Sequence, residues 1–283
     1  MRTNQKAQVL VIFLWILIAL AIFTVSLSDR VSMALKFTQT RKDILKAGYL
    51  SYAGLNIAIV ELKNDAPVYN DLADIRTKVT DEEAKININY GSPELLLALM
   101  EYYNISPAQE IVNNLLAWRG DIPDIEKIYE GLGYPCKAKP FANTAELMLI
   151  KGIDEEAFKK ISPAVTVYGE GGININTASA ETIKILCRSL AKQQEYGEAC
   201  ADRVADAFIA LRDNKPAFND KSGIEISFTD SEATNIFNAL IEAGEIASNN
   251  FMVEVSGNTG KITTRVSVVY NRAENRIESW YEG

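Results

Sequence analysis

The chain opens with an almost unbroken apolar run from Val9 to Leu27, ahead of a body in which polar and apolar positions alternate. About 20 helical residues, each adding 1.5 Å, cross a hydrocarbon core roughly 30 Å thick. Arg2 and Lys6 precede the run and no acidic residue occurs before Asp29, which favours a cytoplasmic N-terminus. A cleaved secretory signal is the alternative, but its apolar core usually has only about 7–15 residues. The pattern therefore predicts a retained, single-pass membrane anchor.

A second apolar stripe follows the anchor, with steps of three and four residues that are typical of an amphipathic helix. No proline occurs before Pro67, so nothing in the sequence forces a break. The pattern predicts one helix from about residue 8 to residue 63, first in lipid and then packed on a soluble head. The stripe comprises Val31, Leu35, Ile44, Leu45, Gly48, Tyr49, Tyr52, Leu55, Ala58, Ile59 and Leu62.

The C-terminal end alternates with a period of two and is rich in β-branched residues, which predicts strands over 251–256, 261–270 and 276–281. Residues 257–260 contain Gly and Asn, which tolerate positive φ, and they predict a hairpin turn. A three-stranded antiparallel meander has one face to cover, and the long helix is its early partner. The fold class is therefore α+β, with helix first, sheet last and a large helical insert between them.

The insert repeats itself. The motif I-N-I-N occurs at 86–89 and again at 173–176, and each copy leads into a helix start. Ser92 with Pro93 predicts an N-cap and first helical position, and Ser179 does the same in the second copy. Residues 111–119 and 204–212 match as helices that each end in an arginine, where the helix dipole favours a cation. The pattern predicts two small helical subdomains.

Composition narrows the classes of function. The net charge is -8 and the pI is near 4.9, which disfavours a nucleic-acid surface. The chain has no histidine, so it lacks the usual general base. The glycine-rich stretch 169–172 lacks the lysine of a phosphate-binding loop. Acid pairs such as Glu82-Glu83 and Glu155-Glu156 are more often solvated helix faces than catalytic dyads. These observations predict a protein that is not an enzyme and has no small-molecule substrate.

Two local features leave alternatives open. Cys187 and Cys200 could form a disulfide in an oxidising compartment, which would leave Cys136 unpaired. Asp121 and Asp124 lie in a loop that could hold calcium, although a surface turn with solvated acids explains the same residues. No other cofactor is expected.

The whole assembly resembles the K-type minor pseudopilins of type II secretion systems (general secretion pathway protein K). The resemblance spans nearly the whole chain and implies a pilin-like core carrying an insert of two SAM-like or helix-hairpin-helix-like repeats. Its best-matched pieces are residues 172–178, 146–153 and 161–168.

The resemblance also implies processing and position. Members begin with a short basic leader, so Ala7 would be the last leader residue and Gln8 the first mature one, although most members have glycine before the cut. The fifth mature position is then Ile12, where most pilins carry glutamate. K-type members lack that glutamate and are placed at the filament tip. The implied location is the inner membrane, with a cytoplasmic N-terminus and a periplasmic body.

The implied partners are the I-type and J-type minor pseudopilins and the pseudopilus, which would help to export folded proteins. They would pack on the long helix at Val31, Leu35, Tyr52, Leu55, Ile59 and Leu62. The implied divisions are a leader (1–7), a transmembrane helix (8–28), an amphipathic helix with the start of the core (29–84), two helical subdomains (85–170 and 171–248) and the C-terminal strands (249–283).

The rival interpretation is a membrane-anchored helix-hairpin-helix DNA receptor of a competence-like system. Such hairpins need glycines that bring backbone amides to a phosphate. The candidate hairpins here, 103–107 and 151–155, lack a G-x-G and are surrounded by acidic residues. The sequence therefore favours a pseudopilin that binds no nucleic acid.

Overall fold

A computed structural model describes residues 3–68, 71–122, 129 and 133–283. The chain divides into two compact units. We call Met1–Lys78, Glu254–Ser267 and Trp280–Gly283 the helix–sheet unit, and Val79–Val253 and Val268–Ser279 the insert unit.

The helices are α1 (Thr3–Lys63), α2 (Pro93–Tyr102), α3 (Ala108–Arg119), α4 (Glu155–Ile161), α5 (Ala180–Gln193), α6 (Glu198–Asp213) and α7 (Ser231–Ala243). Two short 3₁₀ segments lie at Thr144–Leu149 and Ser162–Ala164. The strands are β1 (Asp71–Leu72), β2 (Ile75–Asp81), β3 (Ile86–Asn87), β4 (Val165–Thr166), β5 (Ile173–Asn174), β6 (Gly244–Glu245), β7 (Asn250–Asn258), β8 (Thr263–Asn271) and β9 (Arg276–Glu282).

Helix α1 is a single helix of 61 residues, in agreement with the predicted span of about 8–63. Its Gln8–Lys63 part is long and apolar enough to cross a membrane. Every side chain from Gln8 to Lys42 is exposed, and burial begins in the following turn. The first half of α1 therefore has no packing partner within the described part of the chain.

The antiparallel sheet has five strands in the order β1-β2-β7-β8-β9. The predicted meander is present as β7, β8 and β9. The sequence interpretation missed β2, in which buried Ile75 and Thr77 alternate with exposed Arg76. Strand β2 pairs with β1 through a register that joins Leu72 to Ile75.

Gly257 lies inside β7 and not in the hairpin turn, which corrects the predicted turn at 257–260. Gly257 N donates to Ser51 Oγ at 2.9 Å, and Ser51 Oγ donates to Thr264 O at 3.0 Å. A Cβ on Gly257 would lie 2.2 Å from Ala47 O, so only glycine permits this approach of α1 to the sheet. The turn itself uses Gly260, at φ +82°.

The insert is not purely helical, in contrast to the predicted all-α region. Each I-N-I-N copy begins with a two-residue strand, and these strands pair in parallel as β3 with β4 and β5 with β6. Their isoleucines are buried, so pairing satisfies backbone groups that water cannot reach. The predicted N-caps are confirmed, because Ser92 Oγ accepts from Leu95 N and Ser179 Oγ accepts from Thr182 N.

Candidate functional site

The soluble half of α1 has two apolar faces with different environments. One face packs inside the helix–sheet unit and is buried at Ala47, Ser51, Leu55, Ala58 and Leu62. The other face is open to solvent along its whole length. It exposes Leu45 (62%), Tyr49 (72%), Ile57 (40%) and Val60 (56%).

These four exposed residues lie on one side of α1, because intervals of 4, 8 and 3 residues keep side chains within about 120° around a helix. We call Leu45, Tyr49, Ile57 and Val60 the α1 stripe. Four large apolar side chains in a row on a solvent-facing helix mark a surface for another protein. The α1 stripe is the candidate docking site.

A groove of about 460 Å³ lies beside the α1 stripe, between α1 and the ends of β8 and β9. Tyr52 forms its wall, stacked on Trp280 with ring centroids 6.1 Å apart. Tyr52 OH donates to Glu282 Oε1 at 2.8 Å. This hydrogen bond raises the pKa of Tyr52 above its ordinary value and lowers the pKa of Glu282. Tyr52 is therefore tied to the C-terminal strand of its own unit.

The docking residues predicted from the sequence divide between the two faces. Val31 and Leu35 are exposed, as a docking role requires, and Ile59 is half-buried. Leu55 is only 2% exposed and Leu62 only 8%. Their role is corrected, because both pack inside the helix–sheet unit and offer no surface to a partner. The sequence interpretation had merged two adjacent stripes into one.

The two repeats of the insert use the same side chains for the same contacts. Asn89 Oδ1 accepts from Phe141 N at 2.7 Å while its Nδ2 donates to Phe141 O. Asn176 holds Phe218 through the same pair of hydrogen bonds, and its Nδ2 also donates to Ile246 O at 2.8 Å. The side-chain amide of the second Asn in each I-N-I-N motif therefore makes two hydrogen bonds to the backbone of a residue distant in sequence, as a neighbouring strand would.

The arginines that end α3 and α6 also match. Arg119 Nη1 donates to Ile88 O and Gly91 O, at 3.0 and 2.9 Å. Arg212 Nη1 donates to Ile175 O and Ala178 O in the second copy. The sequence suggested a helix-dipole role for both arginines, whereas the structure places their guanidinium groups on the I-N-I-N loops.

Three consecutive acids hold the insert unit together. Asp81 Oδ2 accepts from Asn174 and Ser248 side chains, at 2.9 and 2.7 Å. Glu82 is 2% exposed and accepts from Thr166 Oγ1 at 2.6 Å. Glu83 accepts from Asn250 Nδ2 at 2.6 Å. Glu82 and Glu83 are therefore structural acids and not a solvated helix face.

The remaining predicted site residues are those of the leader cut and of the candidate calcium loop. Ala7, Gln8 and Ile12 lie in the first turns of α1, and Ile12 is 60% exposed. Asp121 accepts from Arg119 Nε at 2.5 Å, whereas Asp124 lies outside the described residues. Calcium binding there stays a prediction.

The structure contains Cys187 and Cys200 as free cysteines, and their disulfide stays a prediction. Cys187 is fully buried on α5, and burial raises the pKa of its thiol to about 12. Cys200 is instead directed to Asp230 and Arg203, at 3.9 and 3.4 Å from its Sγ.

Comparison with known proteins gives two findings. Residues 70–170 match the family model of type II secretion system protein K. The fold matches GspK in the crystal structure of the GspK-GspI-GspJ complex from the enterotoxigenic Escherichia coli type 2 secretion system, with a TM-score of 0.62 and 15% identity. That match covers 88% of this chain and 99% of the solved one. A search of curated protein sequences found no match.

The fold match is consistent with this chain's mixed helix and sheet architecture, and the family match lies on the segment that holds the first I-N-I-N repeat. Residues 70–170 therefore match the type II secretion system protein K family, within a chain that has the fold of GspK, and the resemblance to K-type minor pseudopilins is confirmed.

Proposed function

We propose that this chain is a non-enzymatic minor pseudopilin that docks with I-type and J-type minor pseudopilins at the tip of the pseudopilus. There it caps or nucleates the filament that helps to export folded proteins. Its N-terminus lies in the cytoplasm, α1 crosses the inner membrane and the body lies in the periplasm. The family match, the fold and the membrane-length helix support this proposal.

The α1 stripe is the single observation that carries the docking role. Its four side chains are exposed and apolar although the opposite face of the same part of α1 is packed into a folded unit. The stripe continues along the same helix toward the apolar anchor, so partners held by their own membrane helices can pack along it. The solved relative was determined as a complex with GspI and GspJ, which supports partners of those types.

Ile12 supports a position at the end of a filament. If the leader is cut after Ala7, Ile12 is the fifth mature residue. A carboxylate at that depth in lipid is costly unless a neighbour's amino terminus pairs with it. A subunit with nothing stacked ahead of it has no such neighbour, so an apolar residue is favoured. N-terminal sequencing of membrane-extracted protein tests the cut: a start at Gln8 supports it, and a start at Met1 contradicts it.

Co-purification tests the docking role. The tagged full chain is expressed with I-type and J-type partners and extracted from membranes in neutral detergent. Tyr49→Asp and Val60→Asp each place a charge on the α1 stripe, so both variants are expected to lose the partners. Met148→Asp is the matched control, because Met148 is 49% exposed but lies in the insert unit.

Circular dichroism on the same samples establishes that all three variants are folded. Partners recovered in full with both stripe variants would contradict the proposal, and so would an equal loss with Met148→Asp.

A further inference from the structure

Two adjoining hollows of about 290 and 410 Å³ lie in the insert unit. Glu170, Asn250, Asn271 and Glu274 line both of them, so they form one continuous concave surface, which we call the acidic hollow. This surface is separate from α1 in sequence and lies within one unit.

The acidic hollow carries concentrated negative charge. Besides Glu170 and Glu274, its lining includes Glu83, Glu245 and Glu278, and among the described lining residues none is a lysine or arginine. Glu274 and Glu278 both pair with Arg276, at 2.9 and 3.0 Å, and Glu245 lies 3.9 Å from Lys221, so these three acids are partly compensated from outside. Glu170 has neither a hydrogen bond nor an ion pair with any described residue. The surface is therefore complementary to a cation.

Asn250 has a buried side-chain oxygen that lacks a hydrogen-bond donor in the described part of the chain, which is an observation independent of the charge. It is 3% exposed and lies in the wall common to both hollows. Its Nδ2 donates to Glu83 Oε1 at 2.6 Å, which fixes the orientation of the amide. Within the described residues, Asn250 Oδ1 is the buried side-chain atom that has no hydrogen-bond partner. A buried acceptor without a donor is destabilising, so a ligand with N–H groups is favoured here.

Aromatic and proline side chains complete the surface. Tyr90, Tyr168 and Pro140 line the smaller hollow together with Glu170, and Tyr90 is 64% exposed. A guanidinium group stacks on a tyrosine face while its edge donates to carboxylates. It carries five N–H donors in a planar fork, more than an ammonium group offers. Acids, an orphan acceptor and aromatic faces together fit arginine better than lysine.

The loop that carries Glu170 is held in place before any ligand arrives. Asn87 Nδ2 donates to Tyr168 O and Gly169 O, at 2.8 and 3.1 Å. Gly171 has φ +95°, and a Cβ there would lie 2.5 Å from Tyr90 Cβ. The glycine-rich stretch 169–172 thus brings Glu170 beside Tyr90.

We propose that the acidic hollow binds an arginine side chain on an extended segment of another protein. The site lies on the insert unit and goes beyond docking along α1, so the two surfaces can act separately. Arginine would stack on Tyr90, donate to Glu170 and reach the acceptor of Asn250.

A peptide titration tests the proposal with the full chain in neutral detergent. The probe is a fluorescein-labelled Gly-Arg-Gly-Arg-Gly peptide. The comparison peptide has citrulline in place of each arginine, which keeps the shape of the side chain and removes its charge. Anisotropy is expected to give a dissociation constant about tenfold lower for the arginine peptide.

Two variants locate the binding. Glu170→Gln is expected to raise the dissociation constant of the arginine peptide by about tenfold. Tyr90→Leu is expected to raise it by about threefold. Glu225→Gln is the matched control, because it removes one exposed acid elsewhere in the insert unit and should change binding by less than about twofold. These substitutions leave α1 untouched, so partner co-purification is expected to stay at its normal level in all three.

Three results would overturn the proposal. One is equal binding of the arginine and citrulline peptides, or no binding at millimolar probe. Another is an unchanged dissociation constant in Glu170→Gln. The third is displacement of the peptide by calcium chloride but not by sodium chloride of equal ionic strength, which would identify a metal site instead.

Discussion

Arg119 and Arg212 illustrate how single residues build the duplicated insert. Each guanidinium group donates to two backbone carbonyls of its own I-N-I-N loop. Those carbonyls lie between the end of a short strand and the N-cap of the following helix. Each arginine therefore substitutes for missing backbone pairing in its repeat.

Removing either arginine should destabilise the insert. Arg119→Gln and Arg212→Gln are each expected to lower the free energy of unfolding by about 2 kcal/mol, because charge-assisted hydrogen bonds to buried carbonyls are lost. Arg203→Gln is the control: its side chain is 57% exposed and its ion pair with Asp230 is of the surface kind, worth about 0.5 kcal/mol. Urea unfolding of the full chain in detergent measures all three, and equal losses would contradict this role.

Two glycines of the helix–sheet unit should respond in opposite ways. Gly257→Ala places a methyl group against the backbone of α1, so the free energy of unfolding should fall by more than about 2 kcal/mol. Gly48 lies in α1, and a Cβ on it would have nothing within 4 Å. Gly48→Ala should raise the free energy by about 0.5–1 kcal/mol through helix propensity. Thermal unfolding compares the pair, and a tolerated Gly257→Ala would contradict the close approach.

Asp202 should make stability depend on pH. Arg188 donates to both carboxylate oxygens of Asp202 at 2.7 Å, and this pairing lowers the pKa of Asp202 below its ordinary value. The folded state therefore holds the carboxylate ionised more strongly than the unfolded state does. The resulting stability is present above the ordinary pKa of about 3.9 and is lost as pH falls through the lower folded value.

The measurement is the difference in melting temperature between the full chain and Asp202→Asn, taken from pH 6 down to pH 2.5. The difference should be largest at pH 6 and shrink below about pH 4. Glu225→Gln corrects for the loss of one negative charge. A difference that grows as the pH falls would have the wrong sign for this pairing.

At the scale of elements, the sequence predicted the length of α1 correctly but did not distinguish its buried face from its exposed apolar face. The absence of proline and the three-four spacing were enough to give one helix of nearly the observed length. Periodicity alone could not divide Leu55 from Tyr49, because both satisfy a helical apolar pattern. The division depends on which face meets β7 and β8, and Gly257 decides that through a contact far away in sequence.

Substitutions at Leu55 and Val60 should therefore distinguish an effect on folding from an effect on docking. Leu55→Ser should lower the free energy of unfolding by about 3 kcal/mol, because Leu55 is buried. Val60→Ser should change it by less than about 0.5 kcal/mol while reducing partner recovery. Unfolding and co-purification are measured on the same preparations. If Leu55→Ser left stability intact and removed only the partners, the assignment of the two faces would be reversed.

At the scale of the whole molecule, the order of helix, insert and sheet could be predicted because each part has its own period. The two I-N-I-N copies were visible as repeated letters, and their caps followed from local chemistry. Strand β2 was not found, since seven residues beside a long helix carry a weak signal. The roles of Asp81, Glu82 and Glu83 depend on partners more than 80 residues away, so no local pattern reveals them.

The proposed function requires a membrane-anchored head whose exposed helix face serves assembly. Its anchor, its folded helix–sheet unit and its duplicated insert each have a separate physical basis. The proposed function depends on docking at the α1 stripe, so an experiment on the stripe tests it most directly.

Site-specific photocrosslinking in cells that carry the secretion system is that test. Benzoylphenylalanine replaces Tyr49 or Val60 in the full chain, and Met148 in the control. The account predicts crosslinks to other minor pseudopilins from positions 49 and 60, identified by mass spectrometry, and none from 148. Crosslinks from 148 alone, or no protein crosslinks from either stripe position, would contradict it.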